Sequence, residues 1–150
     1  MEIKRIESWL QSNNTQFPSP LQHGYQSSLC SLMDSFVLQE SINYCTERHS
    51  PVYVSFLDSA TAFDTVWHKG LFVKLHDMGL CGKLWKLLVN SYTDMNNCIM
   101  CQGNRSKWIP VAQSVRQGSV MGPWYFMVYI NDLLDNISNS GHGISIEDVY

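Results

Sequence analysis

An apolar run, Val52-Tyr53-Val54-Ser55-Phe56-Leu57, ends on Asp58, and Phe63-Asp64 and Trp67-His68 follow within ten residues. A carboxylate at the end of a buried strand is a sound holder for a hard cation. The strand is rigid, and the adjacent backbone carbonyl can add an oxygen. Taken alone, an aspartate ending a strand is more often a helix cap or turn residue. Asp64 lies past the turn and suits a helix-side cap or an ion-pair partner, Phe63 suits a core ring, and Trp67 and His68 suit packing and hydrogen bonding. The second polar constellation is Arg116-Gln117-Gly118. Glycine lets a ligand approach the backbone closely, and glutamine offers both a donor and an acceptor to a base or sugar edge. Arg116 beside them can meet a phosphate or stand in solvent. Cys98 and Cys101 form a lone C-x-x-C with no second pair of ligands at matched spacing, so most of the five cysteines read as small core thiols of a reducing compartment.

These residues need elements to hold them. The 150 residues suit one domain, and a 45% apolar share is enough to build a core. Net charge is −3, from 10 basic against 13 acidic residues. Nucleic-acid-binding domains are normally basic, so this balance argues against tight, self-sufficient binding to DNA or RNA. No apolar run is long enough to span a membrane. Met1-Glu2-Ile3-Lys4-Arg5 is not the start of a secretory signal peptide, which implies an intracellular chain.

The spacing of Ile3, Ile6, Trp9 and Leu10 predicts a first helix, closed at Ser12-Asn13-Asn14, and Pro18-Ser19-Pro20 predicts an extended connector. Leu29, Leu32, Met33, Phe36 and Val37, with Ile42 and Cys45, predict a long amphipathic helix from a capping Ser28 to about Arg48, with its stripe in the core. Val52 to Leu57 predicts a central strand buried on both faces. Helices are expected from about Lys69 to Met78, stopped by Gly79, and from about Gly82 to Thr93, burying Leu84, Leu87 and Leu88. Cys98–Gln102 and Ser106–Ala112 predict a hairpin around Gly103-Asn104. After a loop from Gln113 to Gly122, Pro123 opens a helix carrying Phe126, Met127, Ile130, Leu133 and Leu134. A last strand is expected at Ile144-Ser145-Ile146.

Four blocks carry a family resemblance, in order along the chain. D-x-x-x-A-F-D-T-V-W-H, from Asp58 to His68, resembles the first palm motif of non-LTR retrotransposon reverse transcriptases. Leu21-Gln22-His23-Gly24-Tyr25 resembles the finger-region block of the same family. Val115-Arg116-Gln117-Gly118, running to Pro123, resembles the V-R-Q-G block opening the next palm helix, and Tyr129-Ile130-Asn131-Asp132-Leu133 resembles the block after it. The resemblance covers roughly residues 18–146.

It implies an α+β fold: a partial fingers and palm of a right-hand polymerase, helices packed on a small antiparallel sheet. An N-terminal helix and connector would occupy residues 1–20 and the partial domain residues 21–150. The resemblance implies that Asp58 is a metal-binding catalytic carboxylate and Phe63 the ring excluding a ribose 2′-hydroxyl, with Arg116, Gln117 and Gly118 lining the nucleotide and template site. Mg2+ or Mn2+, an RNA template, a DNA primer and dNTPs are the implied cofactor and partners of the complete parent protein. The family's aromatic-Ala-Asp-Asp hairpin is not among the 150 residues, and Glu147-Asp148 reads as surface charge. Thr61, Ser119, Gly122 and Gln26-Ser27-Ser28 also depart from common family residues. The expectation is therefore a fragment cut before its site is complete, inactive by itself, binding nucleic acid weakly if at all, and prone to aggregate because Val52 to Leu57 lacks its neighbour. Two alternatives differ in class: a degenerate remnant that at most binds other proteins, and a metal-dependent hydrolase using Asp58, Asp64 and His68.

Overall fold

The computed structural model describes residues 2–13 and 17–143. The strand expected at Ile144–Ile146 and the Glu147-Asp148 pair lie outside the described residues. Five helices and four two-residue strands are described: α1 (Glu2–Ser12), α2 (Ser31–Glu47), α3 (His68–Asp77), α4 (Gly82–Tyr92), β1 (Asn96–Asn97), β2 (Met100–Cys101), β3 (Asn104–Arg105), β4 (Ile109–Pro110) and α5 (Gly122–Asn139). Helices with a small antiparallel sheet make this an α+β chain. It divides into two compact units, residues 1–15 with 61–129 and residues 16–60 with 130–150.

The first unit holds nearly all the core. Ile6, Leu71, Leu75, Leu88, Tyr125 and Val128 are buried from helices, and Val66, Leu80 and Val115 from the segments between elements. The α3 to α4 connection explains itself residue by residue. Gly79 takes φ +88°, its N–H bonds the His76 carbonyl, and the Leu80 N–H bonds the Leu75 carbonyl. This is the helix-ending pair of bonds that glycine at that position permits, and it turns Leu80 into the core. Leu87, expected inside, is 43% exposed.

The hairpin is shifted by one residue from the expected turn. Cys101 pairs with Asn104 and Met100 with Arg105, so the two-residue loop is Gln102-Gly103, at φ 48° and 79°, the positive angles a tight hairpin demands. Asn97 pairs with Ile109 and Asn96 with Pro110. The register therefore slips by one residue between the two ladders, which is a β-bulge on the Ser106–Trp108 side.

The second unit departs most from expectation. Helix α2 starts at Ser31 after Cys30, with no side-chain cap, so Ser28 does not cap it. Ser28 has φ 68°, outside the extended conformation of a capping residue. Leu32, Met33, Phe36 and Val37 are exposed, and of this helix only Cys45 is buried. Val52 to Leu57 forms no strand, with Tyr53 93%, Phe56 80% and Leu57 84% exposed. A strand exists only where a neighbour takes its N–H and C=O groups, and among the described residues none does. The connector is better held: Ser19 is buried, and its N–H donates to Asn131 Oδ1 at 2.8 Å.

Candidate functional site

A single helical turn delivers Phe63 and Asp64. The N–H groups of Asp64 and Thr65 both bond the Thr61 carbonyl, at 2.9 and 3.1 Å. The chain then runs antiparallel to the segment before Gln117. Val115 N–H donates to the Phe63 carbonyl and Ser114 N–H to the Val66 carbonyl, each at 2.8 Å, and Trp67 bridges Gln113. Val66 and Val115 are fully buried in this seam, which fixes its register because a one-residue slip would turn both valines outward.

The seam brings two of the sequence blocks together. Gln117 Nε2 donates to Asp64 Oδ1 at 3.3 Å. The Phe63 ring stands 5.1 Å from that of Phe126, tilted by 45°, so the half-buried aromatic wall is braced by α5. Gly118 follows at φ +77°, with open space where a side chain would start.

Arg116 is tied inward. Its Nη2 donates to the Ser91 carbonyl at 3.1 Å, its Nε meets Met95 Sδ at 3.4 Å, and its guanidinium lies 5.8 Å from the Tyr92 ring centroid. Three N–H donors of the five on a guanidinium remain for a phosphate. Burial pushes the Tyr92 phenol above its ordinary value, and the Arg116 backbone bond and charge offset this in part. His68 is buried, with Nε2 2.7 Å from the Ser114 carbonyl and its ring 4.9 Å from Tyr92. It packs and holds the seam, as the sequence suggested. Asp64 accepts a hydrogen bond from Gln117 rather than capping a helix.

Asp58 belongs to the other unit and is exposed at the end of the unpaired segment. Among the described residues, no three His, Cys, Asp or Glu side chains are grouped to hold a metal ion. Within the first unit, His68 Nε2 meets the Ser114 carbonyl and Asp64 is held by Gln117, an arrangement that does not favour the hydrolase alternative. The described cysteines are unpaired thiols, with Cys45 buried, Cys98 half-buried and Cys30, Cys81 and Cys101 exposed. The expectation that most were core residues holds for Cys45 alone.

Two devices had no role in the sequence reading. Asn131 pins the connector through Ser19 and is itself tied to Asp135 at 3.0 Å; its block carried a resemblance but no chemistry. Gly122 opens α5 where a Cβ would come within 2.9 Å of the Arg116 carbonyl oxygen, and its N–H donates to Ser119 Oγ at 2.8 Å. The two departures from common family residues, Ser119 and Gly122, thus work as one turn.

Comparison with known proteins shows the family. The family model described as reverse transcriptase (RNA-dependent DNA polymerase) matches residues 1–146. The chain is 30% identical over 118 residues, 79% of its length, to the RNA-directed DNA polymerase from mobile element jockey of Drosophila melanogaster. It is 26% identical over 122 residues, 81% of its length, to the retrovirus-related Pol polyprotein from type-1 retrotransposable element R2 of Popillia japonica. The chain covers 12% of the first relative and 17% of the second. No solved structure matches. The chain belongs to the reverse transcriptase family, in the branch carried by non-LTR retrotransposons. No described helix is long and apolar enough to cross a membrane.

Proposed function

We propose that this chain supplies the nucleotide-facing part of an RNA-directed DNA polymerase, with parts of its fingers and palm, and that it does not polymerise by itself. The observation carrying this reading is the Asp64–Gln117 hydrogen bond, which joins the first palm block to the V-R-Q-G block within one unit. Phe63, braced by Phe126, is the wall against which a deoxyribose packs; a ribose would bring a hydroxyl with neither room nor partner there. Gln117 reads a base or sugar edge, Gly118 leaves the backbone open to it, and spare Arg116 donors meet a phosphate. Asp58 is one carboxylate of a metal-binding set. The residues present do not by themselves fit Mg2+ or Mn2+, since one exposed carboxylate cannot displace the ion's waters. Template, primer and dNTPs are accordingly partners of a longer polymerase, and this chain alone binds them weakly.

Primer extension with Mg2+ and an RNA template tests both halves. The 150-residue chain incorporates no dNTP; incorporation that Asp58→Ala abolishes would refute that. In a polymerase that joins this segment to an aromatic-Ala-Asp-Asp hairpin, Phe63→Ala lets ribonucleotides in, by about tenfold or more relative to dNTPs. Unchanged sugar selectivity would remove Phe63 from the site. A second reading, a non-catalytic remnant acting through protein contacts, draws support from the exposed apolar residues of α2 and of 52–57. Self-association without affinity for primer-template is its signature.

A further inference from the structure

From Met95 to Asn131 the chain contains no acidic residue and three basic ones, Arg105, Lys107 and Arg116, within a chain of net charge −3. Two of the three sit on the hairpin. Residues three apart on a regular strand point to opposite faces, so Arg105 and Trp108 should not meet. The bulge between the two ladders re-aims them, and the Arg105 guanidinium comes to 5.5 Å from the Trp108 ring centroid. Trp108 remains 59% exposed, and Met100, directly across from Arg105, is 68% exposed. A cation over an aromatic face, with a second cation next in sequence and an apolar residue across the ladder, is the kind of surface on which bases stack while the backbone phosphates find positive charge.

We propose that the β2–β3 hairpin is a contact for single-stranded nucleic acid, with Trp108 stacking a base and Arg105 and Lys107 meeting phosphates. This deepens the polymerase reading and rests on it, adding a contact outside the Phe63–Gln117 region. Charge complementarity selects the occupant: a partner protein or a second copy would pair apolar surfaces without needing two cations and a local excess of positive charge. The contact is weak by construction. Two phosphate contacts on a single strand give a salt slope of about −1.4, so a fourfold rise in salt weakens binding about sevenfold.

The test is fluorescence anisotropy of a labelled oligothymidylate of about twelve nucleotides, titrated with the 150-residue chain at two salt concentrations. Trp108→Ala should weaken binding about five- to a hundredfold, with Trp108→Phe recovering most of the loss. Arg105→Gln with Lys107→Gln should flatten the salt slope while leaving the chain's thermal transition in place. The Trp108→Ala loss should keep its size in a chain that already carries Phe63→Ala and Gln117→Ala, so the outcome separates from that of the polymerase site itself. Equal affinity for wild type and Trp108→Ala overturns the proposal. So does a Trp108→Ala effect confined to sedimentation of the protein alone, which would assign the face to a second copy.

Discussion

Gln117 Nε2 and Asp64 Oδ1 stand 3.3 Å apart, although 53 residues separate them in the chain. The bond follows from the Phe63–Val115 backbone pairing beneath it. Both side chains are exposed, so water competes for the bond and its worth to stability is about 0.5 kcal/mol. A double-mutant cycle of Asp64→Ala and Gln117→Ala, read by urea unfolding, should return a coupling of that size. Perfect additivity would mean that the two residues do not interact in solution.

His68 holds the same seam from inside. Removing its ring with His68→Ala takes away the donor to the Ser114 carbonyl and leaves a void beside Tyr92. The expected loss is about 2 to 4 kcal/mol. His68→Phe keeps the packing and loses only the bond, for about 1 to 2 kcal/mol. If both variants unfolded at the same denaturant concentration as wild type, His68 would have no part in holding the seam.

Two glycines with tight surroundings should behave oppositely. At Gly122 the obstacle is the Arg116 backbone carbonyl at 2.9 Å, so Gly122→Ala forces the Gln117-Gly118 loop to move and costs about 1 to 3 kcal/mol. At Gly70 the obstacle is the Trp67 ring at 2.7 Å, and that side chain is 54% exposed and can swing aside. Helix propensity returns about 1 kcal/mol there, so Gly70→Ala should be near neutral in thermal melts yet change the near-ultraviolet dichroism of Trp67. Equal costs at the two sites would contradict this.

Legibility in the sequence followed the location of each element's partner. Helices α1, α3, α4 and α5 bury apolar faces within the unit of 1–15 and 61–129, or begin there, and their periodicity announced them. Gly79 announced its turn because only a positive φ closes α3 that way. The stripe of α2 and the run Val52 to Leu57 have equally good patterns but no cover among the described residues, and a pattern names a buried face without naming what buries it. The bulge opposite Asn97–Ile99 was invisible, since one extra residue changes no composition. At the candidate site, the motif blocks singled out Phe63, Arg116, Gln117 and Gly118. The bond from Gln117 to Asp64 and the inward tie of Arg116 needed coordinates, because both depend on contacts distant in sequence.

Tyr92 makes stability depend on alkaline pH. Burial raises its phenol pKa in the folded chain above the unfolded value of 10.0. The folded state then keeps a proton that the unfolded state gives up, so the contribution is whole below about pH 10 and is lost as pH rises through the folded value. Melts between about pH 8 and 11 should show a steeper alkaline decline for wild type than for Tyr92→Phe. Parallel declines would mean that the phenol titrates alike in both states.

The run Val52 to Leu57 decides how the isolated chain behaves. Tyr53, Phe56 and Leu57 are each at least 80% exposed, in a segment with no strand partner among the described residues. Such a segment offers unpaired N–H and C=O groups and an apolar surface together, which is how chains add strands to one another. These side chains are exposed, so Phe56→Lys with Leu57→Lys should leave the thermal midpoint within about 2 °C, as expected for exposed positions. The same pair should abolish concentration-dependent association, because charges along an edge block pairing. Sedimentation velocity and light scattering at micromolar protein read this directly. A wild-type chain that stays monomeric there, with a sharp and reversible melt, would show that the segment is covered in solution.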